Sequence, residues 1–172
     1  MSKHVLLWVE TNKQARTDTA YVNETINYYY DRKKSIYRIE ELETKTHYNS
    51  SKVLKKTKEF CQYVPKDDAV IIYCIDVDNY QVSIEQNKLF ESIKSFCTER
   101  NYELVLFCKD VEDVYWREQI QKNEKKMKAQ EFIQKKLIVS VNEGDLRKDG
   151  LHRHGSNVLT ILDKYMVPKA DE

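Results

Sequence analysis

The feature that most limits how this chain can fold is Val70-Ile71-Ile72-Tyr73-Cys74-Ile75-Asp76-Val77-Asp78, a nearly unbroken apolar run that ends in two carboxylates one residue apart. The run is short, rich in β-branched and aromatic residues, and preceded by Pro65-Lys66-Asp67-Asp68, which reads as a turn. Such a run predicts a strand buried on both faces, as in a parallel sheet flanked by helices. Residues i and i+2 of a strand share a face, so Asp76 and Asp78 are expected to project the same way where the strand leaves the core. Ligands of open α/β sheets bind beyond the carboxyl ends of strands. Two carboxylates there suit a hard cation such as Mg²⁺ or Mn²⁺, which takes oxygen ligands. Taken alone, the pair reads more simply as two solvated loop acids.

Other segments repeat the pattern. Val5–Val9 is a second strand-like run, and it too ends in an acid, Glu10. After a polar loop holding Lys13 and Arg16, Thr17 or Asp18 is placed to cap a helix whose apolar residues include Ala20, Tyr21, Val22, Ile26 and Tyr30. Ser35–Leu42 alternates like a strand nearer an edge. Asn49 or Ser50 starts a helix with Val53, Leu54, Thr57, Phe60 and Cys61 on one face. A helix from about Ser83 to Arg100 follows the central strand, with a stripe of Leu89, Phe90, Ile93, Phe96 and Cys97. Tyr102–Cys108 is the fourth strand, and Asp110, Glu112 and Asp113 lie beyond its end. The charged stretch Trp116–Lys136 reads as one long solvated helix. Leu137–Val141 reads as a short last strand, and Val158–Met166 as a final helix capped by Ser156 or Asn157. His152, Arg153 and His154, just ahead of that helix, form a candidate phosphate grip, as helix amides and dipole favour an anion there. The plainer alternative is an ordinary cap beside two surface histidines.

Strand and helix therefore alternate about four times. This predicts an α/β domain with a mostly parallel sheet of four to five strands and helices on both faces. Residues 1–167 are expected to form one domain, with a short frayed tail from 168 to 172. With only 3 Gly and 2 Pro in 172 residues, a flexible linker between domains is not expected. Acids fall after three separate strands: Glu10, the pair Asp76 and Asp78, and the group Asp110, Glu112 and Asp113. Three strand ends delivering carboxylates to one rim favour a metal site over coincidence.

The net charge of +1 provides no global basic field, so any nucleic-acid binding must use a local patch. None of the four cysteines sits in a CxxC pair, which fits small buried hydrophobes in a reducing cytoplasm. No apolar stretch approaches a membrane span, and the N-terminal run is too short for a signal peptide. No Gly-x-Gly-x-x-Gly follows a strand, which weakens a dinucleotide-binding reading.

A glutamate after the first strand and an Asp-x-Asp after the third, on an alternating α/β chain, resembles the TOPRIM domain of topoisomerases, bacterial primases and small nucleases. The matching positions are Glu10, Asp76 and Asp78, and the resemblance covers roughly Lys3 to Trp116. Within that fold the chain looks most like the RloB-like and overcoming-lysogenization-defect-type nucleases of bacterial defence loci, whose acid–aromatic segment after the fourth strand is echoed by Glu112 or Asp113 with Trp116. The chain departs from the family at Thr11, where glycine is usual, and lacks a Ser-Asn-Pro type sequence after the fourth strand.

The resemblance implies Mg²⁺- or Mn²⁺-dependent phosphodiester hydrolysis of DNA or RNA in antiviral defence. Glu10, Asp76 and Asp78 would be catalytic, with Glu112 and Asp113 as further metal ligands. Lys13, Arg16, His152, Arg153 and His154 would hold substrate. The alternative is a catalytically silent binding module acting with a partner protein from its own locus or as a homo-oligomer. Both readings place the protein in the cytoplasm.

Overall fold

The computed structural model describes residues 3–11, 16–65 and 67–170. Four strands, β1 (His4–Val9), β2 (Ile36–Glu41), β3 (Ala69–Asp76) and β4 (Glu103–Phe107), form one sheet in the order β2-β1-β3-β4. Every pairing is parallel, as the apolar runs predicted. The central strands are buried on both faces, and their alternation divides the core in two. Val5, Leu7 and Val9 of β1 and Ile72 and Cys74 of β3 face α1 (Thr17–Tyr29), α4 (Val111–Trp116), α5 (Lys125–Gln134) and α6 (Val158–Leu162). Leu6, Trp8, Ile71, Tyr73 and Ile75 face α2 (Ser51–Tyr63) and α3 (Ile84–Glu99). The Ser50 and Ser83 hydroxyls cap α2 and α3 by accepting the N–H groups of Val53 and Gln86.

Many of the 12 tyrosines line these layers with their hydroxyls satisfied. Tyr21 accepts a bond from the Trp116 indole at 2.8 Å, Tyr30 donates to Asp163 at 2.7 Å, and Tyr73 donates to the Tyr48 carbonyl at 2.9 Å. Each supplies apolar area with a polar tip that finds a partner when buried.

The second half of the chain departs from its sequence pattern. The long helix expected over 116–136 is only the ten-residue α5; α4 lies ahead of it and ends at Trp116, and 117–124 between them is not helical. Asp110 caps α4 by accepting the Asp113 N–H at 2.9 Å, and Arg117 ends it in a left-handed conformation (φ 59°). Leu137–Ser140, expected as a strand, is a 3-10 helix that begins after a left-handed Lys136, with the Ser140 hydroxyl folded back onto the Leu137 carbonyl at 2.7 Å. α6 stops at Leu162, four residues short of expectation. Asn157 does not cap it through its side chain. It seals the outer edge of β4 instead, accepting from Leu106 N–H at 2.8 Å and donating to the Leu104 carbonyl at 3.0 Å. Gly155 adds to that seal through its carbonyl, which accepts the Cys108 N–H at 3.0 Å. Among the described residues β2 pairs only with β1, so its outer edge is open. The expected frayed tail is docked at its start, where Lys169 N–H donates to the Tyr29 carbonyl at 2.9 Å. No helix among the described residues is long and apolar enough to cross a membrane.

Candidate functional site

The carboxyl ends of β1, β3 and β4 meet at one rim. Val9 pairs with Cys74, so Glu10 leaves β1 beside the end of β3. Its Oε2 accepts the Asp76 N–H at 3.1 Å. Asp76 continues the row of Ile72 and Cys74 that faces α1. That direction brings its carboxyl under the influence of Asp18, in the first turn of α1. Asp78 lies past the strand end in a left-handed conformation (φ 51°), so strand alternation does not set its direction as expected. Its exposed carboxylate pairs with the buried ammonium of Lys45, which also donates to the Asp76 carbonyl at 2.9 Å.

On the β4 side, Lys125 of α5 donates to Glu112 at 2.7 Å and to Asp110 at 3.0 Å. Glu112 has no solvent-exposed surface. The rim thus gathers six carboxyls (Glu10, Asp18, Asp76, Asp78, Asp110 and Glu112) around two lysines, Lys45 and Lys125.

Burial first, and this imbalance second, set the electrostatics. Burial, followed by the charge of Glu112, pushes Asp18 up to about 8. Burial and then the charges of Asp18, Glu10 and Asp110 hold Asp76 well above the usual carboxylate range. Burial raises Glu10, with Lys45 opposing, and raises Glu112, with Lys125 opposing. Burial works against the Lys125 ammonium, but its bonds to Glu112 and Asp110 win and raise it.

Asp76 Oδ1 and Glu112 Oε1 are buried with no hydrogen-bond partner, as is the hydroxyl of Thr11 beside Glu10. Buried oxygens of this kind are costly unless something electropositive meets them. An all-oxygen donor set suits Mg²⁺ or Mn²⁺, so on this ground the residues fit the group the sequence implied. The side chains are not already gathered for it. No set of three or more His, Cys, Asp or Glu among the described residues is arranged to hold a metal ion. Glu10 is turned to the Asp76 amide, Asp78 to Lys45 and Glu112 to Lys125.

The other residues singled out from sequence lie variously. Asp113 is turned from the rim to His154, whose Nδ1 lies 3.0 Å from Asp113 Oδ2. His152 pairs with Asp149 at 2.9 Å and Arg153 is exposed, so His152, Arg153 and His154 do not converge on a helix N-terminus. Arg16 is exposed and pairs with Glu41 at 2.7 Å. Lys13 lies outside the described residues. Thr17 or Asp18 was expected to cap α1, but its N-cap is Arg16 with no side-chain cap bond, and Lys45 and Lys125 carried no signal in the sequence. The available signal for Asp18 was its place in the first turn after a strand that ends in an acid.

A pH dependence follows. An unfolded Asp18 loses its proton near 3.8, whereas the folded one keeps it to about 8. The folded chain therefore binds the extra proton between those values, and this contribution to stability falls as pH rises through that window. In chelator, the melting temperature is expected to fall from pH 5 to pH 8 more steeply for the wild type than for Asp18→Asn. Equal slopes in thermal melts of the two proteins would contradict this.

No family model, curated protein or solved structure matches the chain. Fold and rim together define a class by architecture alone: a four-stranded parallel α/β domain with a largely buried, over-acidic cluster at its strand carboxyl ends.

Proposed function

We propose that this chain is a divalent-metal-dependent nuclease that hydrolyses phosphodiester bonds at the carboxylate rim, in defence against foreign nucleic acid. The observation that carries this reading is the pair of buried, partnerless carboxylate oxygens, Asp76 Oδ1 and Glu112 Oε1, inside a cluster with four more carboxyls than lysines (six less two). Asp76 and Asp78 would hold Mg²⁺ or Mn²⁺, with Glu10 completing the coordination or serving as the base, and Asp18 and Glu112 within the same field. When bound, the metal would lower the pKa of water and neutralise charge developing on the phosphate. In the base role Glu10, raised by burial, would accept the proton of an attacking water as the water oxygen bonds to phosphorus; the bridging P–O bond breaks with its electron pair on the departing oxygen, which takes a proton from solvent. Lys45, bonded to the Asp76 carbonyl and the Asp78 carboxylate, ties the strand end to the rim.

A silent binding module is the second reading. It is favoured by the two lysines that already partner Asp78, Asp110 and Glu112. Incubating labelled DNA and RNA, single- and double-stranded, with the protein and Mg²⁺ or Mn²⁺ separates the two. The nuclease reading expects metal-dependent cleavage that an Asp76→Ala/Asp78→Ala variant loses, and equal cleavage by that variant would remove the assigned chemistry.

A further inference from the structure

We propose that the groove between α1 and the open edge of β2 binds a single strand of nucleic acid and leads it to the carboxylate rim; the second half of this statement rests on the nuclease reading above. The groove has a volume of about 680 Å³, and its lining includes Arg16, Arg32 and Lys33 with Asn23 and Tyr37, and no acid. Its long axis follows from the contacts that tie α1 to β2. At one end Arg16, just before α1, pairs with Glu41 at the end of β2. Farther along, Tyr37 OH donates to Asn23 Oδ1 at 3.4 Å. At the far end the Arg32 guanidinium lies 5.9 Å from the centre of the Tyr37 ring. The near end opens on the rim, because Glu41 is in register with Val9, the residue before Glu10, and Arg16 stands two residues from Asp18.

Four features select the occupant. Arg32 and Lys33 are exposed, and among the described residues neither side chain pairs with a carboxylate, whereas Arg16, Lys34 and Arg38 do. Unpaired guanidinium and ammonium groups along a polar groove suit the repeated phosphates of a polyanion. The open edge of β2 offers further backbone N–H donors along the same line. A net charge of only +1 makes a local patch of this kind the route by which such a chain would hold nucleic acid. Two adjacent unpaired cations beside one aromatic ring offer contacts to a few successive phosphates of one backbone and a face for one unpaired base, so a single strand is the expected guest. A peptide strand added to β2 is the competing occupant, and it has less use for the unpaired cations.

The test is fluorescence anisotropy of labelled single-stranded DNA, single-stranded RNA and duplex, in chelator so that cleavage plays no part. Wild-type protein is expected to bind a single strand more tightly than duplex, and more weakly as salt rises. Arg32→Glu/Lys33→Glu should raise Kd by about tenfold or more and flatten the log–log salt slope by about 2. Lys55→Glu/Lys58→Glu, exposed on α2 at the opposite face, should bind like wild type. Thermal melts confirm that each variant is folded. Equal binding by both charge-reversed variants, duplex-only binding, or no salt-dependent binding would overturn the groove. If the groove variant loses binding while Asp76→Ala/Asp78→Ala cleaves like wild type, the binding groove stands and the rim chemistry falls. If the groove variant binds normally while the Asp76/Asp78 variant is inactive, the rim stands and the groove falls.

Discussion

Replacing Asp76 and Asp78 together by alanine is expected to lower Mg²⁺- or Mn²⁺-dependent cleavage by about 10³-fold or more, equivalent to roughly 4 kcal/mol of transition-state stabilisation. The expectation comes from what each carboxylate does. Asp76 brings a buried oxygen with no partner, the costliest arrangement on the rim unless a cation meets it. Asp78 is exposed, so its loss opens no cavity in the core. Lys45 keeps its bond to the Asp76 main-chain carbonyl in the variant, so its buried ammonium is not left bare. The double variant should therefore stay folded by circular dichroism while losing activity. Asp113→Ala is the matched control. Asp113 is acidic and close in sequence to Glu112, yet it faces His154, so its loss should leave the cleavage rate within a few-fold of wild type. A rate loss for Asp113→Ala as large as for the double variant would show that the acids after β4 were wrongly divided.

The largest structural effect is expected at Gly150. The segment from Lys148 to Asn157 runs along the outer edge of β4, and at Gly150 its backbone presses on Leu106. A Cβ there would meet the Leu106 carbonyl oxygen at 2.5 Å and its carbonyl carbon at 2.7 Å. Main-chain atoms of a paired strand cannot step aside as a flexible side chain can. Gly150→Ala should cost about 3 kcal/mol or more. For a domain of this size that lowers the melting temperature by roughly 6–12 °C. Gly144→Ala supplies the contrast. Its Cβ would meet only the Asn142 side-chain oxygen at 3.0 Å, and its backbone is already helical, so the change should be about 1 kcal/mol or less. Urea unfolding of the two variants measures the difference, and equal midpoints would contradict the close approach at Leu106.

What was legible in the sequence follows from where burial writes a pattern. β1 and β3 are buried on both faces and show as unbroken apolar runs. Ser50 and Ser83 announce α2 and α3 because a cap needs a short hydroxyl side chain. After β4 the pattern loses its meaning. The break between α4 and α5 is made by polar side chains, with Asp110 capping one helix and Lys125 of the next turning back to Asp110 and Glu112. Periodicity cannot tell which lysine in a run of lysines will turn inward. Lys45 was hidden because a lysine in a polar segment is ordinarily exposed. That Glu10 and Asp76 meet was legible because paired parallel strands deliver their ends to one place. Asp18 was missed because an aspartate at a helix start already has an ordinary explanation.

Calorimetric titration of the purified protein with Mn²⁺ at pH 8 tests the central claim most directly, since it asks whether the over-acidic rim takes up a cation. Saturable binding at millimolar affinity or better is predicted for the wild type, abolished by Asp76→Ala/Asp78→Ala and retained by Asp113→Ala. Heats no larger than dilution for the wild type, or unchanged binding by the double variant, would contradict it.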